Sequence, residues 1–165
     1  MDIRLDYHFV LFLDILGYKE IISRAANGPS TTLSSLNRLY AAFSEAKGRY
    51  GGIDGYDVKQ FSDSVILSAP FDIDKADSFL TEVAVTQRLM LKYGILTGGG
   101  VSVGKHFQEN DFVASQAVID AYEIEQAVAK FPRVVVTEDF LSLCYPKQDY
   151  SGAPLSSFIA GAHSA

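Results

Sequence analysis

From Phe9 to Tyr18 the chain reads FVLFLDILGY, and this run constrains the fold more than any other feature. Phe9, Val10, Leu11, Phe12 and Leu13 show no alternation, so they read as a central strand covered on both faces rather than one with a wet side. Asp14 then stands at the end of an apolar strand. Moving an unpaired carboxylate into a dry interior costs on the order of 20 kcal/mol in the ideal case, and several kcal/mol after relaxation. A partner is therefore required, and a backbone, a base or a metal would each serve.

The rest of the chain fits one self-sufficient core. At 165 residues it is long enough to bury about two-thirds of its unfolded surface without disulfides, and we expect a single domain over 1–165. No apolar run approaches the roughly 20 residues of a membrane-spanning helix. The start, MDIRLDYH, carries acids where a secretory signal carries Lys or Arg. The expected location is cytoplasmic, with no membrane partner. The one cysteine, Cys144, has no second thiol to pair with and reads as packed. A net charge of −6 without a basic cluster argues against nucleic acid as a partner. Any anionic ligand must then be held locally.

Periodicity outlines the elements. A strand at about 7–14 leads to a short helix at 17–25 and a longer one at 30–47, the latter carried by Leu33, Leu36, Leu39, Tyr40 and Phe43 and capped by Ser30, Thr31 or Thr32. YDVKQFSDSVILSAP reads as a hairpin, with strands at 55–61 and 64–69 and a turn near Ser62 and Asp63. A helix from Asp74 to Tyr93, the strand ILTGGGVSVGKHF, a helix from Ala117 to Lys130, the strand RVVVT and the short helix EDFLSL follow. This order favours an α+β, ferredoxin-like sandwich in which the first strand is central and the hairpin lies beside it.

That placement brings Asp14 towards Asp63. Two readings of Asp14 stay open: a cap for the helix that starts near Gly17, or a metal ligand. Asp63 lies in an equally apolar hairpin, flanked by Phe61 and by Val65, Ile66 and Leu67, with Lys59 four residues before it. Two such carboxylates can hold divalent metal against a phosphate chain.

Here the sequence resembles the catalytic domain of class III nucleotidyl cyclases. FLDILGY (12–18) matches the family's F-x-D-I-x-G-F at Phe12, Asp14, Ile15 and Gly17, with Tyr18 as the final aromatic. KQFSD (59–63) matches K-x-I-G-D at Lys59 and Asp63, with Ser62 in place of the glycine. GGGVSVG (98–104) looks like the family's glycine strand, and SQAVIDAYEIE (115–125) like its G-N-x-V-N-x-A-x-R-L-E helix, keeping Val118, Ala121 and Glu125. FSDS, GGVSVG, AYEIE and KFPRVVV are closer still to the pyrimidine cyclases of bacterial antiphage defence, often called Pycsar. The resemblance implies that Asp14, Asp63 and the Ile15 carbonyl hold two Mg²⁺ or Mn²⁺ ions. It also implies that backbone N–H groups of Ile15, Leu16, Gly17 and Tyr18 cradle a nucleoside triphosphate, and that Lys59 reads the base. A head-to-tail homodimer with shared sites is implied, as is a separate effector that reads the cyclic product. Lys59, a donor without acceptor capacity, favours pyrimidines weakly, and a wall from Phe61 or Tyr56 would exclude purines. UTP is expected over CTP over the purines.

Several positions depart from the family. Its transition-state asparagine falls on Ile119 and its arginine on Glu123, and the arginine of the glycine strand on Gly98. The glycine before the helix is Ser115. Arg133 is the candidate replacement cation, against a plain surface role on an edge strand; Lys105 and Lys147 are further phosphate candidates. These departures keep a second expectation alive, a catalytically silent module that binds nucleotide or only dimerises. Glu123 is expected to be exposed and Glu125 structural, and His8, His106 and His163 lack metal spacing. The sequence ends at Ala165, earlier than the resemblance leads one to expect for a closing strand, and part of the triphosphate pocket is then expected to be missing or supplied differently.

Overall fold

The structure, a computed structural model, describes residues 2–28, 33–110 and 112–146. The first strand, β1 (Asp6–Ile15), is the centre of the sheet, and two helices follow it, α1 (Tyr18–Asn27) and α2 (Leu33–Tyr50). A hairpin of β2 (Asp57–Phe61) and β3 (Ser64–Pro70) precedes α3 (Ala76–Lys92), which is entered through a 3-10 turn at Ile73–Lys75. Then come β4 (Thr97–Glu109), β5 (Phe112–Ser115), α4 (Gln116–Val128), β6 (Val134–Val136) and α5 (Glu138–Cys144).

The sheet runs β2-β3-β1-β4-β5, with β6 on the outer edge of β4. β1 is antiparallel to both neighbours, and only β6 joins in parallel. This is the ferredoxin-like α+β arrangement the sequence order predicts, extended by β5 and β6. The continuous apolar run explains the central place of β1, because helices cover both of its faces. Phe9, Leu11, Leu13 and Ile15 enter the main core with Val65, Leu67, Val101 and Val103. Phe12, facing the other way, meets Tyr122 of α4 edge-on at 5.5 Å.

The main core is closed by α2 and α3. Leu36, Leu39, Phe43, Ala46 and Tyr50 recur at three- and four-residue spacing, and so do Phe79, Val83, Thr86 and Met90, which sets one apolar stripe on each helix. Arg49 fixes the pair from outside through a two-pronged contact with Glu82 at 2.9 and 2.8 Å. The Tyr50 hydroxyl meets Thr86 Oγ1 at 2.6 Å within the interface.

On the opposite face α4 lies directly on β4, and the glycines there make room for it. A Cβ at Gly100 would come within 2.0 Å of the Ala121 carbonyl oxygen. Ser115, which replaces the family's glycine, caps α4 by accepting from the Val118 N–H at 3.0 Å. The expected cap residues Ser30, Thr31 and Thr32, together with Lys147 and His163, lie outside the described residues. Cys144 is packed against the main core, and burial pushes its thiol up to about 11, well away from nucleophilic chemistry. Among the described residues no helix is long and apolar enough to cross a membrane.

Candidate active site at the β1 and hairpin ends

The acids meet because of strand register. Asp14 pairs with Ser64 across β1 and β3, so Asp63, one step into the turn, comes opposite Ile15. The Ile15 N–H donates to the Asp63 carbonyl at 2.8 Å and holds the turn in place. Ser62 takes a left-handed φ of 53° at the first position of that two-residue turn, which accounts for the glycine found there in the resembling motif.

Asp14 and Asp63 are both half-buried. Neither carboxylate accepts a hydrogen bond or meets a cation among the described residues, and the N-cap of α1 is Gly17 without side-chain capping. The capping reading of Asp14 is thereby set aside. Burial raises the Asp14 pKa above its ordinary value, and the charges of Asp63 and then Glu125 add to the rise. The site therefore presents more negative charge than its own residues neutralise, which suits a cation. Two half-buried carboxylates supply hard oxygen donors of the kind Mg²⁺ and Mn²⁺ take. No group of three or more His, Cys, Asp or Glu forms a metal cage among the described residues. The remaining coordination positions would fall to carbonyl, water and phosphate oxygens, as is usual for Mg²⁺. The residues present fit divalent cations.

The amide cradle differs from expectation. The Ile15 N–H is used by Asp63, and the Leu16 N–H donates to the Leu96 carbonyl at 2.9 Å, so neither is free for phosphate. The unused donors begin at Gly17 and continue through Tyr18, Lys19 and Glu20, in the first turn of α1. They are the backbone groups that a helix N-terminus leaves unpaired.

Lys59 lies on the α4 side of the sheet together with Asp57 and Phe61, because Val58, between them, packs into the main core. Its ammonium stands 3.5 Å from the Asp57 carboxylate. Phe61 is 81% exposed. Tyr56 cannot serve as the expected wall. Strand alternation sends it to the main core, where it stacks on Tyr50 at 5.7 Å and on Phe79.

Of the other proposed phosphate contacts, Arg133 stays at the Asp14 end of the sheet, its carbonyl accepting from Gly99 beside the Asp14 neighbour Gly98, and Lys105 falls elsewhere. The Arg133 guanidinium donates to the Val128 carbonyl at the end of α4. Lys105 pairs across from Tyr7, at the far end of β1 from Asp14, and donates to the Leu5 carbonyl at 3.2 Å. Seven residues of strand separate Tyr7 from Asp14, about 23 Å.

Glu125 adds to what motif reading found. It is 5% exposed, its Oε2 accepts from Gln126 at 2.6 Å, and its Oε1 lies 3.0 Å from where a Gly98 side chain would begin. The space given up by Gly98, in place of the family's arginine, is thus occupied by a carboxylate whose charge reaches Asp14. Ile119 is 49% exposed and Glu123 is exposed as expected.

No sequence-family model matches the chain, and no curated relative does. Solved structures do. A bacterial light-regulated adenylyl cyclase is 16% identical at a TM-score of 0.60, covering 89% of this chain and 83% of that one. The chain has the class III cyclase fold. The guanylate cyclase domain of RhGC from Catenaria anguillulae, solved with GTP, matches at 15% identity and a TM-score of 0.58, covering 86% of this chain and 84% of that one. A class III adenylyl cyclase-like ATP-binding protein from Pseudomonas aeruginosa is 11% identical at a TM-score of 0.57. It covers 84% of this chain, which spans 34% of that protein.

Proposed function

We propose that the chain is a metal-dependent nucleotidyl cyclase that converts a nucleoside triphosphate, UTP before CTP before the purines, into a 3′,5′-cyclic nucleotide and pyrophosphate. The observation that carries this reading is the pairing of Asp14 with Asp63 at adjacent strand ends. Neither meets a cationic side chain among the described residues, and the unpaired amides of Gly17 to Glu20 lie in the turn that follows β1. Asp14, Asp63 and the Ile15 carbonyl would hold two divalent ions. When bound there, those ions lower the pKa of the ribose 3′-hydroxyl and neutralise charge as pyrophosphate leaves. The α1 amides bind phosphate oxygens by hydrogen bonds and by the positive end of the helix dipole. Lys59 donates to a carbonyl or ring nitrogen of the base, and Phe61 limits its size.

The two halves of a complete site come from two copies in a head-to-tail homodimer. Phe61, Ile119 and Tyr122 stay exposed in the single chain, as residues awaiting a partner would. The product serves as an antiphage signal, read by a separate cyclic-nucleotide-binding protein.

Incubation of the folded protein with each of the four triphosphates and Mn²⁺ tests the reading. A cyclic pyrimidine nucleotide is the expected product, and a well-folded dimer that makes none overturns it. The second reading, a silent cyclase-fold module, draws on Ile119, Glu123 and Gly98, none of which can stabilise phosphate charge in the transition state. It requires a thermal shift with triphosphate and Mg²⁺ but no turnover, so any cyclic product rules it out.

A further inference from the structure

Beyond the acids, at the other end of β1, a cleft of about 410 Å³ opens on the α4 side of the sheet. That volume lies within the range of small-molecule pockets. His106 lines it and is only 1% exposed, yet neither of its ring nitrogens has a hydrogen-bond partner among the described residues. The side-chain amide of Gln108, two residues on along β4, is likewise buried without a partner at either its nitrogen or its oxygen. The Gln108 amide is close enough to favour a charged His106 ring slightly, but no bond of proper geometry joins them. Four polar atoms are thus withdrawn from bulk water without a hydrogen bond of proper geometry among the described residues. Native proteins rarely leave buried polar groups in that state.

The chemistry of these atoms describes what would satisfy them. Burial, and then the neighbouring His8 ring 4.9 Å away, hold the His106 pKa down at about 4, so the ring is neutral near pH 7. It offers one donor and one acceptor, and a primary amide offers both as well. Such a pair complements a planar edge that itself carries a donor beside an acceptor, as amide side chains do when they read base edges. The rim sets the charge. Asp2, Asp6 and Asp57 face a single guanidinium, Arg4, which is already paired with Asp6 at 3.0 Å. Asp57 in turn holds Lys59 at 3.5 Å. Phosphate would be repelled there.

We propose that this cleft is a second ligand site, separate from Asp14 and Asp63, that takes an uncharged heterocycle with a donor and an acceptor on one edge, the class to which nucleosides belong, and rejects nucleotides. This assignment does not depend on turnover at the acids.

Calorimetric titration of the full-length protein with uridine, cytidine, adenosine and guanosine in the presence of EDTA is the test. At least one nucleoside is expected to bind with a sub-millimolar Kd, and its triphosphate at least tenfold more weakly under the same metal-free conditions. Gln108→Leu should weaken the nucleoside at least tenfold, whereas Asp14→Asn should leave its Kd within twofold. If Gln108→Leu does not fold, proton–carbon spectra of the wild-type protein supply the same information, because the His106 ring resonances must move on titration. Failure of all four nucleosides to bind, an unchanged Kd in Gln108→Leu, or a still His106 ring would each overturn the proposal and leave the cleft filled by water alone.

Discussion

Asp14 shows how function and stability oppose each other at one residue. Folding raises its pKa above the ordinary carboxylate value, with burial the largest cause and Asp63 and Glu125 behind it. The folded chain therefore binds the Asp14 proton more tightly than the unfolded chain does, and stability from this group falls as pH rises through the folded value. At pH 7 without metal, Asp14→Asn should raise the urea midpoint, while cyclase turnover falls by two orders of magnitude or more. A lowered midpoint in that variant would refute the electrostatic account. His106 runs the other way. Its folded pKa of about 4 lies below the ordinary 6.5, so its contribution is complete above pH 6.5 and is lost as pH falls towards 4. The loss is at most about 3 kcal/mol. Urea unfolding at pH 7 and pH 5 should show roughly half of this loss in the wild type and a smaller one in His106→Gln. His8, Gln108 and Asp57 are the groups that act on the ring, so the comparison isolates it from Asp14. Asp14 and Asp63 were both legible as acids placed inside apolar runs. The engagement of the Ile15 and Leu16 amides was not, because side-chain pattern carries no record of where a backbone N–H donates.

At the scale of elements, period and turn chemistry located most of what the structure contains. The unalternating run placed β1 at the centre, and FSDS between two β-branched runs placed the hairpin turn at Ser62 and Asp63. The face presented by each strand residue was harder. Tyr56 reads as a base neighbour by its nearness to Lys59 in sequence, yet alternation from Val58 assigns it to the main core. The glycine triplet was visible without its reason, which is contact between layers: α4 approaches β4 so closely that Gly100 has no room for a side chain. Gly100→Ala should cost about 1–3 kcal/mol or more, because the obstacle is helix backbone rather than a movable side chain. Thermal unfolding would register the loss. A variant as stable as the wild type would mean that α4 sits farther from the sheet than described.

For the molecule as a whole, the sheet divides the labour between its faces. One face is sealed by α2 and α3 into the main core. The other carries α4, the acids, Lys59 and several exposed apolar side chains. A face that combines ligand groups with Phe61 at 81% exposure fits joint use by two chains, since an isologous pairing repeats every contact twice. If the metal acids and Lys59 of one site come from different copies, two inactive variants can restore each other. Asp14→Ala and Lys59→Ala should each be nearly inactive alone. Mixed after dissociation and allowed to reassociate at equal amounts, half of the dimers are hybrids, and each hybrid carries one intact site and one doubly damaged site. Recovery of roughly a quarter of wild-type turnover is then expected from the symmetry of the pairing. A mixture no more active than its components would place Asp14, Asp63 and Lys59 in the same site of one chain, and would exclude the shared-site arrangement.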